Sequence, residues 1–259
     1  MKTRKIFAAA ILAGAVCSAQ AHMFWVDGAN DEKTGKFVAK MGYSDDFPNY
    51  EPIMQERVHL FAPITLIHKD GRKKELAQSG KNYRYEGEKL GKGTYILLAR
   101  QNPMYSLKKR SDGKWIIGKN KLDLKDLSDV QICRLMTITS KKILNLGEAD
   151  DFVAKPVGEK IEIVPLQNPA SFRVDKPFKL QVLVDGKPLE RAKLTGTFAG
   201  FLEDKRAFYG MTDAQGITEV VALRPGFWVF EVIYERPYPD ATKCDKETLK
   251  TTLGFDIKE

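Results

Sequence analysis

Histidine and cysteine are scarce, with three of each in 259 residues. Hydrolytic triads are therefore short of material, and no Cys-x-x-Cys or Cys-His cluster marks a zinc site. There is no Gly-x-Ser-x-Gly elbow, no His-Glu-x-x-His helix and no Gly-x-x-x-x-Gly-Lys-Ser/Thr loop to cradle phosphate. The chain is accordingly expected not to be an enzyme. It also lacks any run of ~18–20 apolar residues, which a permanent membrane span needs. Basic residues exceed acidic ones, 42 to 34, yet the lysines sit in turn-like runs such as 69–74 (KDGRKK) and 107–114 (LKKRSDGK). No aromatic residues interleave with them as in a basic nucleic-acid surface, so solvated loops are the expectation.

What is present begins with an export pattern. Lys2, Arg4 and Lys5 precede an apolar run from Ile6 to Val16, and Ala19-Gln20-Ala21 forms a small-residue exit. This is the layout of a signal peptide over residues 1–21, which predicts a periplasmic protein beginning at His22. Val16, not a small residue, precedes Cys17, which argues against lipid attachment there. Cleavage would remove three positive charges and no negative ones, taking the formal net charge from +8 to +5. Export would permit Cys133 and Cys244 to pair, and their spacing leaves a disulfide and two separate thiols both open.

The remaining sequence reads as mainly β, in two immunoglobulin-like β-sandwich domains with one short helical insertion in the first. Strand-like runs occur at 36–43, 57–61, 64–71, 82–87 and 93–100, with Asp-Gly turn signals at 70–71 and 112–113. Over 123–139 the spacing of Leu124, Leu127 and Val130, with no glycine or proline, predicts a helix, followed by a strand near 141–146. Acidic residues and Pro156 interrupt the pattern between 147 and 160, which sets an N-terminal β-rich domain at 22–155 and a sandwich at 156–259. In the second unit, runs at 178–198, 211–223, 226–235 and 249–257 supply about seven short strands.

The stretch EIVPLQNPASFRVDKPFKLQVLVDGKPL, followed by TDAQGITEVVALRPGFWVF, resembles a bacterial periplasmic family described as a domain of unknown function. The same resemblance runs through His22-Met23-Phe24-Trp25, GYSDDFPNYEPI (42–53) and ERVHLFAP (56–63), and so covers essentially all of the chain after residue 21. Members often carry the label of a periplasmic component of nickel or cobalt uptake. The resemblance implies a two-part β-rich protein, with the post-cleavage histidine as a family feature. Many relatives also have a histidine in the segment that here reads Gly42 to Pro48; this chain has none there, which speaks against a strong multi-histidine nickel site.

A terminal histidine offers its amine and its ring Nδ1 to one ion, a chelate that exists only after cleavage. Nickel, cobalt, copper and zinc all accept imidazole. The candidate metal ligands are therefore His22, one of His59 and His68, and Asp45 or Asp46 as an oxygen donor in place of the missing histidine. His59 falls in a run that reads as an alternating strand, where a structural histidine is at least as good a reading. His68 precedes Lys69-Asp70-Gly71, where an exposed turn residue is the default. Met23, Met41 and Met54 lie near the same motifs; thioether and imidazole together favour copper, although methionine is more often a core filler.

The leading expectation is a periplasmic transition-metal-binding protein that captures or relays nickel or cobalt, with a metal-uptake transporter or an outer-membrane receptor as partner. Two alternatives stand beside it. One is a copper carrier or a copper-dependent oxidase of polysaccharide built on a histidine brace. The other is an envelope binding or scaffold module that uses no metal. Nothing in the sequence sets an oligomeric state.

Overall fold

The computed structural model describes residues 22–50, 55–80, 84–202 and 205–259. The expected signal peptide and Met54 lie outside the described residues. The first half forms β1 (Met23–Asp31), β2 (Lys36–Ser44), β3 (Thr65–His68), β4 (Lys73–Glu75), β5 (Ala77–Gln78), β6 (Arg84–Glu88), β7 (Gly93–Lys109), β8 (Trp115–Ile117) and β9 (Val130–Leu146). The second adds β10 (Ile161–Pro165), β11 (Pro177–Val184), β12 (Lys187–Pro188), β13 (Lys193–Phe198), β14 (Phe208–Met211), β15 (Ile217–Val221), β16 (Gly226–Pro237) and β17 (Lys246–Ile257).

A nine-stranded sheet is the centre of the fold, in the order β14-β13-β16-β17-β9-β7-β3-β4 with β8 also on β7. It crosses between the two halves of the chain where β9 and β17 pair in parallel, from Arg134 opposite Lys246 to Lys142 opposite Gly254. The sheet is covered on both faces, and alternation along β7 shows how. Ile96 and Leu98 point into a core with Ile161, Ile163, Leu180, Trp228, Phe230 and Phe255. Their neighbours Leu97 and Ala99 point the other way, into a core with Phe24, Val26, Phe37 and Met41. Successive side chains of a strand take opposite faces, so the two cores lie on opposite sides of the sheet. This is why 93–100 (GTYILLAR) reads as a nearly unbroken apolar run. The sheet of β10, β11, β12 and β15 covers the first face, and the sheet β1-β2-β6-β5 covers the second.

Two local expectations are corrected. No helix covers 123–139: Lys121–Asp123 is one 3-10 turn and Val130–Leu146 is a strand paired on both sides, by β7 and β17. The β-branched Val130, Ile132, Thr137, Ile138 and Thr139 suit that environment, and ladder pairing on two edges overrides a loose helical spacing. The run at 57–61 is not a strand either; Gln55–Leu60 is a 3-10 helix, with only Phe61 bridging to Gln101. Cys133 and Cys244 form a disulfide with Cα atoms 4.9 Å apart, tying the start of β9 to the loop before β17 across 111 residues of sequence.

Candidate functional site

β1 is an edge strand: among the described residues it pairs with β2 alone, from Met23 opposite Ser44 to Asp31 opposite Lys36. An edge buried against another layer needs partners for its carbonyls. The central sheet supplies them from two polar side chains of β17. Lys250 Nζ donates to the His22 carbonyl at 2.7 Å, and Thr252 Oγ1 donates to the Phe24 carbonyl at 2.7 Å. Lys250 is 4% exposed and is balanced by Glu231 at 2.8 Å, itself 3.5 Å from Arg206. The backbone of His22 is thus fixed by a buried ammonium, although the residue lies just outside the strand.

The ring of His22 packs against Tyr43, with centroids 5.2 Å apart. Its Nδ1 is buried and has no hydrogen bond among the described residues; the nearest acid oxygen is Asp45 Oδ2, at 3.4 Å. The ring as a whole remains 43% exposed. Asp45 follows directly on β2, and the close packing of Trp25 sets how that strand ends. A Cβ on Gly42 would sit 2.0 Å from the Trp25 indole, so only glycine lets β2 lie beneath the ring. Trp25 in turn contacts Phe47 edge-on at 5.3 Å, and Phe47 contacts Phe227 at 5.0 Å. The segment after Asp45 is held by these aromatics.

Asp46 is turned to a local task, with its carboxylate accepting from Asn49 Nδ2 at 2.6 Å. His59 is exposed in the 3-10 helix. His68 ends β3, edge-on to Tyr95 at 5.4 Å, in a cleft of about 170 Å³ lined also by Glu88 and Lys89. Burial, reinforced by Arg72, holds its pKa below the ordinary imidazole value. Among the described residues no three of His, Cys, Asp and Glu gather as a metal cluster. The structure therefore brings together His22 and Asp45 and leaves His59, His68 and Asp46 apart from them. Met23 and Met41 are 2% and 3% exposed within apolar clusters, as core residues.

Three residues that the sequence reading did not single out complete the surroundings. Tyr43 is the platform under His22. Burial raises its pKa above the ordinary phenol value, while the charges of Arg57 and Arg134 oppose the rise and Asp45 adds to it, so it is a neutral phenol at pH 7. Lys250 and Glu231 each interrupt an apolar strand, within LKTTLGF and FWVFEVIY, and such an interruption was the available sign of a buried ion pair.

Among the described residues no helix is long and apolar enough to cross a membrane. No curated protein matches the chain. Among solved structures it is similar to fibronectin(III)-like modules of Clostridium thermocellum CbhA, at 12% identity over 86% of this chain and 85% of that one. The TM-score of 0.20 is too low for that likeness to carry weight. The family described as a domain of unknown function, DUF4198, matches residues 19–236, the greater part of the sequence, and the chain belongs to that family.

Proposed function

We propose that this is an exported transition-metal carrier whose ion is held by the amine and Nδ1 of His22, once export processing frees that amine, together with the carboxylate of Asp45. One observation carries the reading: Nδ1 of His22 is buried, has no hydrogen bond among the described residues, and faces an Asp45 oxygen at 3.4 Å. A polar nitrogen enclosed without a partner is costly, by about 1–3 kcal/mol, unless something else satisfies it. Two ligands each about 2.1 Å from one ion lie about 3.4 Å apart when the angle between them is near tetrahedral, and about 3.0 Å apart at a right angle. The pair therefore suits a cation directly, and closes by about 0.4 Å for octahedral nickel or cobalt.

The donor set is two nitrogens and one oxygen, which suits nickel, cobalt, copper or zinc better than magnesium or calcium. Met23 and Met41 are committed to apolar packing and supply no thioether, and a set of amine, imidazole and carboxylate favours the borderline divalent ions over Cu(I). Three protein donors leave open positions, as reversible capture and hand-over to a metal-uptake transporter or outer-membrane receptor in the periplasm would require. The ligands must be deprotonated, so affinity falls as protons compete at lower pH.

Calorimetric titration of Ni, Co, Cu and Zn into protein beginning at His22, beside a form with one extra residue before it, tests the reading. Binding that the extra residue and His22→Ala each weaken by tenfold or more is expected. Equal affinity in all three proteins would remove the terminal chelate.

A further inference from the structure

The covering sheet does not reach the edge of the central one. β1 is its last strand, and the bonds from Lys250 and Thr252 set β1 above β17. Beyond β17 the cover extends to Val229 of β16, which packs with Met23 and Phe47. The ladders fix what comes next. Lys250, under His22, is the register partner of Ile233, and Thr252, under Phe24, begins a row through Glu231, Thr195 and Tyr209. Lys193 and Met211, a register pair, stand two residues from Thr195 and Tyr209 and so point to the same side. Ile233, Tyr209 and Met211 are 48%, 62% and 63% exposed, and Lys193 is exposed with them. From β17 to β14 this shelf is about 14 Å wide, three strand spacings.

Lys193 Nζ lies over the Tyr209 ring, 5.5 Å from its centroid, and among the described residues it has no acid partner. Its methylenes extend the apolar surface while the ammonium stays in water. The one acid of these rows, Glu231, is buried and already serves Lys250 at 2.8 Å and Arg206 at 3.5 Å. The shelf thus presents three large apolar side chains beside an uncompensated positive charge. A contiguous exposed patch of this kind marks an interaction surface. Its shape excludes a flat partner. Packed sheets lie about 10 Å apart, so the shelf is the tread of a step with His22 at its inner corner. A planar bilayer is held off that corner by β1, whereas a projecting strand or loop of a protein can enter it.

We propose that this shelf is the docking surface for an acidic segment of a receiving protein, one that carries carboxylates together with apolar side chains. Its apolar groups cover Ile233, Tyr209 and Met211, and its carboxylates pair with Lys193. Docking does not require the ion; its role in hand-over rests on the metal-carrier reading above. In that role the segment is brought to the open side of His22, because Ile233 is one strand spacing from Lys250, whose Nζ is 2.7 Å from the His22 carbonyl.

The test uses metal-free protein beginning at His22 and, as the probe, a random copolymer of L-glutamate and L-tyrosine, beside poly-L-glutamate and vesicles of anionic phospholipid. Calorimetry at low ionic strength compares the unsubstituted protein with a Lys193→Glu/Ile233→Thr double variant and with Lys33→Glu. The last makes the same charge change in the turn between β1 and β2, and thermal melting confirms that each protein is folded. The copolymer is expected to bind the unsubstituted protein tenfold or more tightly than poly-L-glutamate does. It is expected to lose tenfold or more in the double variant and less than threefold in Lys33→Glu, with nickel affinity within about twofold in all three. Absence of copolymer binding, equal loss in the two variants, or tighter binding to the vesicles overturns the docking surface and leaves the metal site standing. Self-association in sedimentation velocity that the double variant abolishes assigns the shelf to a second copy and overturns it too. Copolymer binding as expected, with no nickel bound by any of the proteins, upholds the docking surface and removes the carrier reading.

Discussion

Two carboxylates on opposite faces of the central sheet have opposite surroundings. Glu162, on the face covered by β10 and β11, accepts from Lys141 Nζ at 2.7 Å and from the backbone amides of Val157, Gly158 and Glu159 at 3.0, 2.7 and 2.8 Å. Asp45, on the face covered by β1 and β2, is a third exposed and has the His22 ring nitrogen at 3.4 Å. The first is a finished structural site, in which every strong acceptor direction is used. The second has its acceptor directions free and an unbonded nitrogen beside it. A fully buried, fully bonded charge serves stability on one face, and a partly exposed carboxylate beside a buried nitrogen leaves ligand capacity on the other.

Breaking the finished site has the largest expected effect. Glu162→Gln leaves Lys141, 3% exposed, without its counter-charge, and should cost about 3–5 kcal/mol in chemical denaturation without altering metal affinity. Burial alone would raise the pKa of Glu162; the Lys141 charge and the amide bonds overcome it and hold it below the ordinary carboxylate value. A depressed folded-state pKa means that the stabilisation is complete above the ordinary carboxylate range and is lost as pH falls through the folded value. Acid unfolding below about pH 4 should therefore contain a component that Glu162→Gln removes.

Lys250→Met should couple the two properties. It strands Glu231 with Arg206 alone and releases the His22 carbonyl, at an expected loss of about 3 kcal/mol, and it should also weaken metal binding. Unchanged affinity would show that the fixed backbone of His22 is unnecessary for chelation. Gly42→Ala drives a methyl into the Trp25 indole; a loss of about 1–3 kcal/mol, read as a lower melting temperature, is expected because the ring is enclosed. The smallest stability effect belongs to Asp45→Asn, within about 0.5 kcal/mol, together with a tenfold or greater fall in nickel affinity. A large loss of stability in that variant would make Asp45 a structural residue like Glu162.

Most of the strands were legible in the sequence because alternation and turn chemistry are local. The runs 36–43, 93–100 and 226–235 each lie within or begin a strand of the structure. The segment 123–139 was misread because β9 is fixed by non-local ladders, an antiparallel one with β7 and a parallel one with β17 that lies more than 100 residues away. His59 was misplaced for a similar reason: 57–61 alternates like a strand, yet only Phe61 finds a ladder partner. At the candidate site, the sequence suggested His22 and a choice between Asp45 and Asp46. It held no sign that Asp46 would turn to Asn49, because that choice depends on how 44–49 folds. Lys250 acts on the site from a distant strand, and such a contact leaves only the weak trace of a charge inside an apolar run.

X-ray absorption at the nickel edge of the protein beginning at His22, loaded with one equivalent, measures the ligand shell most directly. Scattering from a single imidazole with nitrogen and oxygen neighbours and no sulfur is the outcome expected for the His22–Asp45 site. A second imidazole, or a sulfur shell, would contradict it and assign the ion to other side chains.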